Sequence, residues 1–452
     1  MSEPTASLAE GLRRVVEGPV VARGDRDYDA ARMPWNMHEQ SPSLVIDAAD
    51  ADDVVAAVGF AAEQRLGVCA QATGHSATGG LDEMLLIRTG ALREVEVDAD
   101  AARATVGSGA HWRDLQPLAS SAGLAGLAGT APHVSVTGYT LGGGVSWLGR
   151  RHGLCANRLQ AADVVTADGV SRRVDEQTDP DLLWALRGGG GNFGIVTRIE
   201  MGLVEVPELY AGNLVFPLPR SQEILSAWRE WVRDVPREVT SLATVLRVPD
   251  MPTVPEPMRG AEIIVVGACL CGDAREREDT LAPLRALGPI MDTFAPMRAD
   301  GLGVVHNDPE DPMPDTGGAA VLGDVTDATI ERLMDVAGPR SDSPLLFVEL
   351  RHVGGAVREP EVPGGVCDRL EGEFLLHALG VPAGPRASEI APAVDRVLEA
   401  AAPDVAGRPP LNFVMQAGLA PQSFAPADLE RLRAVKARVD PDGMIASSHP
   451  LG

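Results

Sequence analysis

Lysine is all but missing: Lys436 is the one lysine in 452 residues, and arginine supplies the remaining positive charge. The formal net charge is −25. Phosphate backbones and anionic lipid surfaces need basic patches, so this balance argues against a nucleic-acid or membrane partner. Aromatic residues make up 4% of the chain, with three tyrosines, none beyond Tyr210. The second half therefore offers no phenol for acid–base work. The five cysteines are odd in number and lack zinc-type spacing. Cys269 and Cys271 lie two apart in an apolar, strand-like run, an arrangement ill suited to a structural disulfide, and all five read as reduced, with no metal site. Residues 1–14 are polar with no secretory core, and no apolar run reaches the ~20 residues of a membrane span. The expectation is a cytoplasmic protein.

What the chain has is glycine, 49 of it, gathered in clusters. Its length exceeds what one core serves, which predicts two domains. The first cluster is Gln71-Ala72-Thr73-Gly74-His75-Ser76, behind an apolar strand over residues 66–70. Consecutive N–H groups in such a turn can cradle an anion, and glycine lets a ligand approach closely. The second, Gly138-Tyr139-Thr140-Leu141-Gly142-Gly143-Gly144, is too glycine-rich for a regular helix. In the third, Gly189, Gly191 and Gly194 satisfy the dinucleotide spacing G-x-G-x-x-G. That fingerprint needs a strand before it and a helix after it. Here a capped helix over 179–187 precedes and a strand over 195–199 follows, which excludes a nicotinamide site.

Around these clusters the periodicity predicts strands over 43–47, 85–87, 95–98, 104–107 and 161–166, and helices over 51–65 and 112–121. Asp168-Gly169 predicts a hairpin turn. Beyond residue 206, strands (213–216, 262–271, 345–353, 373–377) alternate with helices (221–232, 274–287, 327–337, 387–401), predicting an antiparallel sheet with helices on one face. Proline-rich connections fall at 252–257 and 309–314. The last segment reads as a strand over 411–414, a helix over 427–439 and a turn.

Together the clusters, with Arg151-His152-Gly153-Leu154, Asp163-Val164-Val165-Thr166-Ala167-Asp168-Gly169 and the C-terminal Asp440-Pro441, resemble the flavin-binding module of the vanillyl-alcohol oxidase and para-cresol methylhydroxylase superfamily. Within it they look most like the bacterial branch of the berberine bridge enzyme-like FAD-linked oxidases. The resemblance implies an α+β, two-domain FAD-binding fold. Residues 1–205 and 408–452 would bind FAD, and 206–407 would form an antiparallel-sheet substrate domain. It further implies FAD bonded covalently to His75. Relatives often add a link from the cysteine of G-x-C-P, which here reads Gly129-Thr130-Ala131-Pro132, so a single attachment is expected. Cofactor contacts carry over to Gln71, Ala72, Thr73, Gly74, His75, Ser76, Gly129, Thr130, Val134, Thr137, Gly138, Gly142, Gly143, Asn157, Val196 and Asn412. Val134 matches the position governing oxygen access.

The implied activity is that of an FAD-dependent oxidase taking hydride from a small alcohol, sugar or secondary metabolite, with O2 reoxidising the flavin and releasing peroxide. A dehydrogenase using another acceptor, or a redox-inactive scaffold for binding or cyclisation, stands as the alternative. Relatives that oxidise alcohols often use a tyrosine from the substrate domain or the C-terminal segment, and this chain has none after Tyr210. The catalytic candidates are therefore Tyr139 and His352, with Glu349, Arg351 and His377 on neighbouring strands and His306 read as surface. Strand alternation puts Glu349 and Arg351 on one face and His352 on the other. A histidine base near its ordinary pKa of ~6.5 predicts a titration close to neutrality.

Overall fold

The computed structural model describes residues 3–206, 208–250, 256, 259–272, 274–362, 364–416 and 418–452. Most of the proline-rich connection at 252–257 lies outside the described residues. The first sheet holds β1 (Val20–Ala22), β2 (Leu44–Asp47), β3 (Val68–Gln71) and β4 (Leu85–Arg88) in the order β1-β2-β4-β3. β4 pairs parallel with both β2 and β3, so the chain between β2 and β3 must cross over. Helix α1 (Ala51–Gln64) makes that crossing. Asp50 caps it through the Asp53 N–H, Val54, Ala57, Val58 and Ala61 form its buried stripe, and Arg65 ends it in a left-handed conformation.

The second sheet is antiparallel: β5 (Val95–Asp98), β6 (Arg103–Gly107), β7 (Leu159–Val165), β8 (Ser171–Asp175) and β9 (Ile195–Gly202), in the order β5-β6-β9-β7-β8. Gly169, at φ +73°, supplies the left-handed residue of the β7–β8 turn. Helix Pro180–Leu186 precedes the third glycine cluster and β9 follows it, the order expected from sequence.

The remaining large sheet is antiparallel throughout. Its central strands run β10 (Leu209–Pro217), β12 (Glu262–Cys271), β11 (Val239–Arg247), β14 (Phe347–His352), β15 (Phe374–Gly380) and β13 (Thr316–Leu322). Trp228, Leu333 and Val394, on helices Ser221–Asp234, Asp327–Ala337 and Ile390–Ala401, share one core with Ala243, Val266, Val348, Leu350 and Leu376 of the sheet. The opposite face is left for the rest of the molecule. The fold is thus α+β, with helices on one side of an antiparallel sheet.

Three expectations are corrected. The second glycine cluster does contain a helix, Val136–Leu141, because the Ser135 side chain accepts from the Gly138 N–H and starts the turn. Residues 411–414 are no strand: Leu411–Phe413 is a single 3-10 turn following Pro409-Pro410. Strands β1, β11 and β13 were not anticipated.

The C-terminal segment returns to the first half. Leu411, Leu432 and Leu451 share a core with Trp112, Leu186 and Phe193. Residues 444–446 run beside β3, with Val68 N–H donating to Met444 O at 2.9 Å and Ala446 N–H to Val68 O at 2.7 Å. Lys436 fastens this return, donating to Asn192 O, Asp440 Oδ2 and Ile445 O at 2.8–2.9 Å. No described helix is long and apolar enough to cross a membrane.

Candidate active site

The three glycine clusters and the C-terminal tail close on one cleft with a cavity volume of about 190 Å³. One wall is the 71–76 turn, another is helix Val136–Leu141, and the tail over 446–449 supplies a third. Gly74 sits at φ +79°, and a Cβ there would lie 2.5 Å from Pro34, so the turn is open to glycine alone. Gly142 is held for a different reason: a Cβ would strike the Asn412 amide at 2.5 Å. Asn412 spans the floor, accepting from Gly144 N–H at 2.6 Å and donating to Tyr139 O at 3.1 Å.

His75 is the reactive group of the first wall. Its ring stacks on Trp35 with centroids 4.2 Å apart, and its Nδ1 lies 2.9 Å from Thr73 Oγ1. Its Nε2 is buried with no partner. Burial, reinforced by His133, lowers its pKa to about 3, so the imidazole is neutral and nucleophilic at working pH. Thr137 Oγ1, Ser108 Oγ and Tyr139 Oη are likewise buried and unpartnered along the same cleft. Buried polar atoms are normally hydrogen-bonded, so four orphans on residues lining one cavity suit a polar ligand. Burial pushes the Tyr139 hydroxyl well above the ordinary phenol range.

Among the residues expected to touch cofactor, Gln71, Ala72, Thr73, Gly74, His75, Ser76, Val134, Thr137, Gly138, Gly142, Val196 and Asn412 line this cleft. Gly129, Thr130, Gly143 and Asn157 do not. Gly129 packs under the Tyr139 ring and Thr130 lines two smaller neighbouring cavities. Gly143 faces Pro410 and Cys367, and Asn157 donates its amide to Asp368 O at 2.8 Å. The tail over 446–449, which sequence reasoning missed, brings His449 and Ser447 into the lining; its one local signal was the cluster of small polar residues Ser447-Ser448.

The sheet face opposite the helices carries a second constellation. Glu349 on β14 is fully buried, its Oε1 accepting from Arg351 Nε and its Oε2 from Thr244 Oγ1 at 2.8 Å and from His306 Nε2 at 3.1 Å. The other nitrogen of His306 meets Asp308 Oδ1 at 2.8 Å. His306 is therefore no surface residue. Burial would lower its pKa, but the two carboxylates outweigh burial and raise it to about 10. Burial likewise opposes ionisation of Asp308 and Glu349, yet His306 and Arg351 hold both below the usual carboxylate range, Asp308 at about 2. His377, across β15 from Glu349, has both ring nitrogens buried and unpartnered. Burial and the nearby Arg351 lower it to about 3.

His352 shares the face of Val348 and Leu350 and looks toward the helices. It stacks on Phe374 at 5.5 Å, and its pKa falls to about 3 through burial and then Arg150. Neither His352 nor His377 lines the cleft, but the His377 ring packs edge-on against Phe413, the neighbour of Asn412, with centroids 5.2 Å apart.

Residues 42–175 match the family model described as FAD binding domain. The chain carries an FAD-binding domain. The whole chain has the fold of the berberine bridge enzyme-like proteins: wild-type berberine bridge enzyme-like 1 of Physcomitrella patens superposes with a TM-score of 0.83 at 17% identity, covering 98% of this chain and 99% of that one. By sequence, the chain is similar to (R)-6-hydroxynicotine oxidase of Paenarthrobacter nicotinovorans, 31% identical over 46% of each chain. It is also similar to the xylooligosaccharide oxidase of Thermothelomyces thermophilus, 30% identical over 50% of this chain and 48% of that one. These matches span about half the length of the curated relatives. Residues 42–175 contain the glycine turn, neutral His75 and the unpartnered Ser108, Thr137 and Tyr139, which suit a long, polar, anionic cofactor.

Proposed function

We propose that this protein is an FAD-dependent oxidase acting on a small alcohol, sugar or secondary metabolite, with O2 as electron acceptor and hydrogen peroxide as product. Bound FAD would supply the hydride-accepting chemistry. The observation that carries this reading is the set of buried, unpartnered polar atoms (His75 Nε2, Thr137 Oγ1, Ser108 Oγ, Tyr139 Oη) on one cleft of an FAD-binding domain. Residues 1–205 and 408–452 form the cofactor half in this reading, and 206–407 the substrate half. The backbone N–H groups of the 71–76 turn would hold the pyrophosphate, Asn412 with Gly138 and Gly142 would support the ring system, and Val134 would border the path for O2.

His75 Nε2 would be the attachment atom, since Nδ1 is engaged by Thr73. The Tyr139 hydroxyl keeps its proton and serves as a donor. Glu349, with three donors already on it, is a poor base, and His306 holds its proton between two carboxylates. His377 is neutral with two vacant ring nitrogens, and it replaces His352 as the group that takes the substrate proton.

The test is acid precipitation. Wild-type protein should give a yellow pellet, and His75→Ala a colourless one with free flavin in the supernatant. A colourless wild-type pellet overturns the covalent link. A hydroxylated substrate that bleaches the flavin anaerobically and yields peroxide in air establishes the oxidase; bleaching without peroxide transfers the protein to the dehydrogenases.

A further inference from the structure

The guanidinium of Arg351 has one nitrogen committed and two in hand. Its Nε donates to Glu349, while no described residue accepts from either terminal nitrogen. The side chain keeps 12% of its surface exposed, and neither terminal nitrogen is among the buried orphan atoms. Its position is fixed on both sides: Glu349 grips Nε, and the Phe413 ring lies under the guanidinium carbon at 5.3 Å. Phe413 follows Asn412, which lines the cofactor cleft. Arg351 itself lines a small cavity separate from that cleft, shared with Thr130, Trp147 and His352.

The charges around it explain why the fork is available. Glu349 and Asp308 are satisfied by His306, Thr244 and Arg351 Nε, and the two acids and two cations balance. Glu349 gains nothing by taking a second nitrogen of Arg351. A pair of parallel N–H groups in a fixed plane matches a carboxylate in a way that no neutral sugar hydroxyl does. His377 lies diagonally across the β14–β15 pair from Arg351, because Arg351 is opposite Leu375 in the register. Diagonal neighbours on one sheet face stand roughly 7–8 Å apart, a span that one small substrate can bridge.

We infer that Arg351 is a carboxylate-binding residue and that the substrate is an alcohol that also carries a carboxylate, a hydroxy acid or sugar acid, anchored on the Arg351 fork with its carbinol toward His377. The substrate class rests on the oxidase reading; the carboxylate site does not. Arg351 is also one of the groups holding His377 deprotonated. A bound carboxylate would offset that charge and strengthen the base once substrate is in place.

The experiment titrates the flavin-loaded protein with benzoate and with benzamide, following the flavin absorption band and, independently, the heat of binding. Benzoate should saturate, and benzamide should bind about 10- to 100-fold more weakly, the usual worth of a charged hydrogen-bonded pair. Arg351→Gln should remove that preference, and Arg351→Lys, which keeps charge without the fork, should restore part of it. Equal affinity of wild-type protein for the two probes overturns the proposal without recourse to any variant. So does an Arg351→Gln protein that weakens sulfite addition to the flavin yet binds benzoate normally, for the arginine would then serve the cofactor's charge. Tight benzoate binding with no hydroxy acid able to reduce the flavin would keep the site and defeat the oxidase reading.

Discussion

His75 and His306 are the same side chain at similar depth, and they end in opposite charge states. His75 has an aromatic ring beside it, another histidine nearby and no carboxylate bonded to it; burial wins, and it is neutral. His306 has a carboxylate on each nitrogen; those partners win, and it is an imidazolium. Depth fixes how strongly a partner is felt, but the partner fixes the sign. The neutral side is suited to nucleophilic attachment, and the charged side to holding a loop and an arginine in place.

The heaviest way to break this comparison is to remove the charged histidine. His306→Leu leaves Glu349 and Asp308 buried with a cation missing, which should cost about 3–5 kcal/mol of stability, the range for orphaning a buried ion. Denaturant unfolding measures it; a loss below ~1 kcal/mol would mean that the cluster is open to water. Next is the base. His377→Ala should slow anaerobic flavin reduction by roughly 10²-fold or more, while His352→Ala changes it little. Because His377 is held near pKa 3, the wild-type rate should be flat from pH 5 to 8 rather than titrating near neutrality. A sigmoid centred near pH 6.5 would return the role to an ordinary histidine.

A subtler test sharpens the contrast through pH. His306 has a raised pKa, so its stabilising contribution is full below ~6.5 and is lost as pH climbs toward about 10. His75 has a lowered pKa, so its contribution is full above ~6.5 and is lost as pH falls toward about 3. His306→Gln should flatten the alkaline limb of a Tm-against-pH curve and leave the histidine part of the acid limb. The smallest expected effect is at the helix that walls the cleft: Ser135→Ala, removing the cap on Gly138 N–H, should cost about 1 kcal/mol.

The glycine turns were legible because backbone geometry leaves a local trace: Gly74 and Gly169 need positive φ, and nothing distant decides that. Long amphipathic helices such as 327–337 were readable for the same reason. The ion cluster was not. His306 and Glu349 are 43 positions apart, and a histidine in a proline-rich loop looks like surface until β14 is laid beside it. Asp308, two residues on, was the local hint. β11 escaped because Thr240, Ser241 and Thr244 break its apolar run, although Ser241 and Thr244 are buried and bonded. Leu411-Asn412-Phe413 imitated strand alternation, but the prolines before it withhold two N–H donors and turn the chain, which is how Asn412 reaches the floor.

The seam between β3 and residues 444–446 has a consequence in time. Thr78 Oγ1 donates to Ser448 O across 370 residues. At about 5–20 residues per second of synthesis, the two sides of that contact are made roughly 20–70 s apart. Throughout that interval β3 is a bare sheet edge beside an unfinished pocket, free to pair with the wrong strand. Cofactor capture therefore waits on the ribosome, and lesions in the last turns of the chain should show first as yield of yellow protein, before any change in the stability of what has already been assembled.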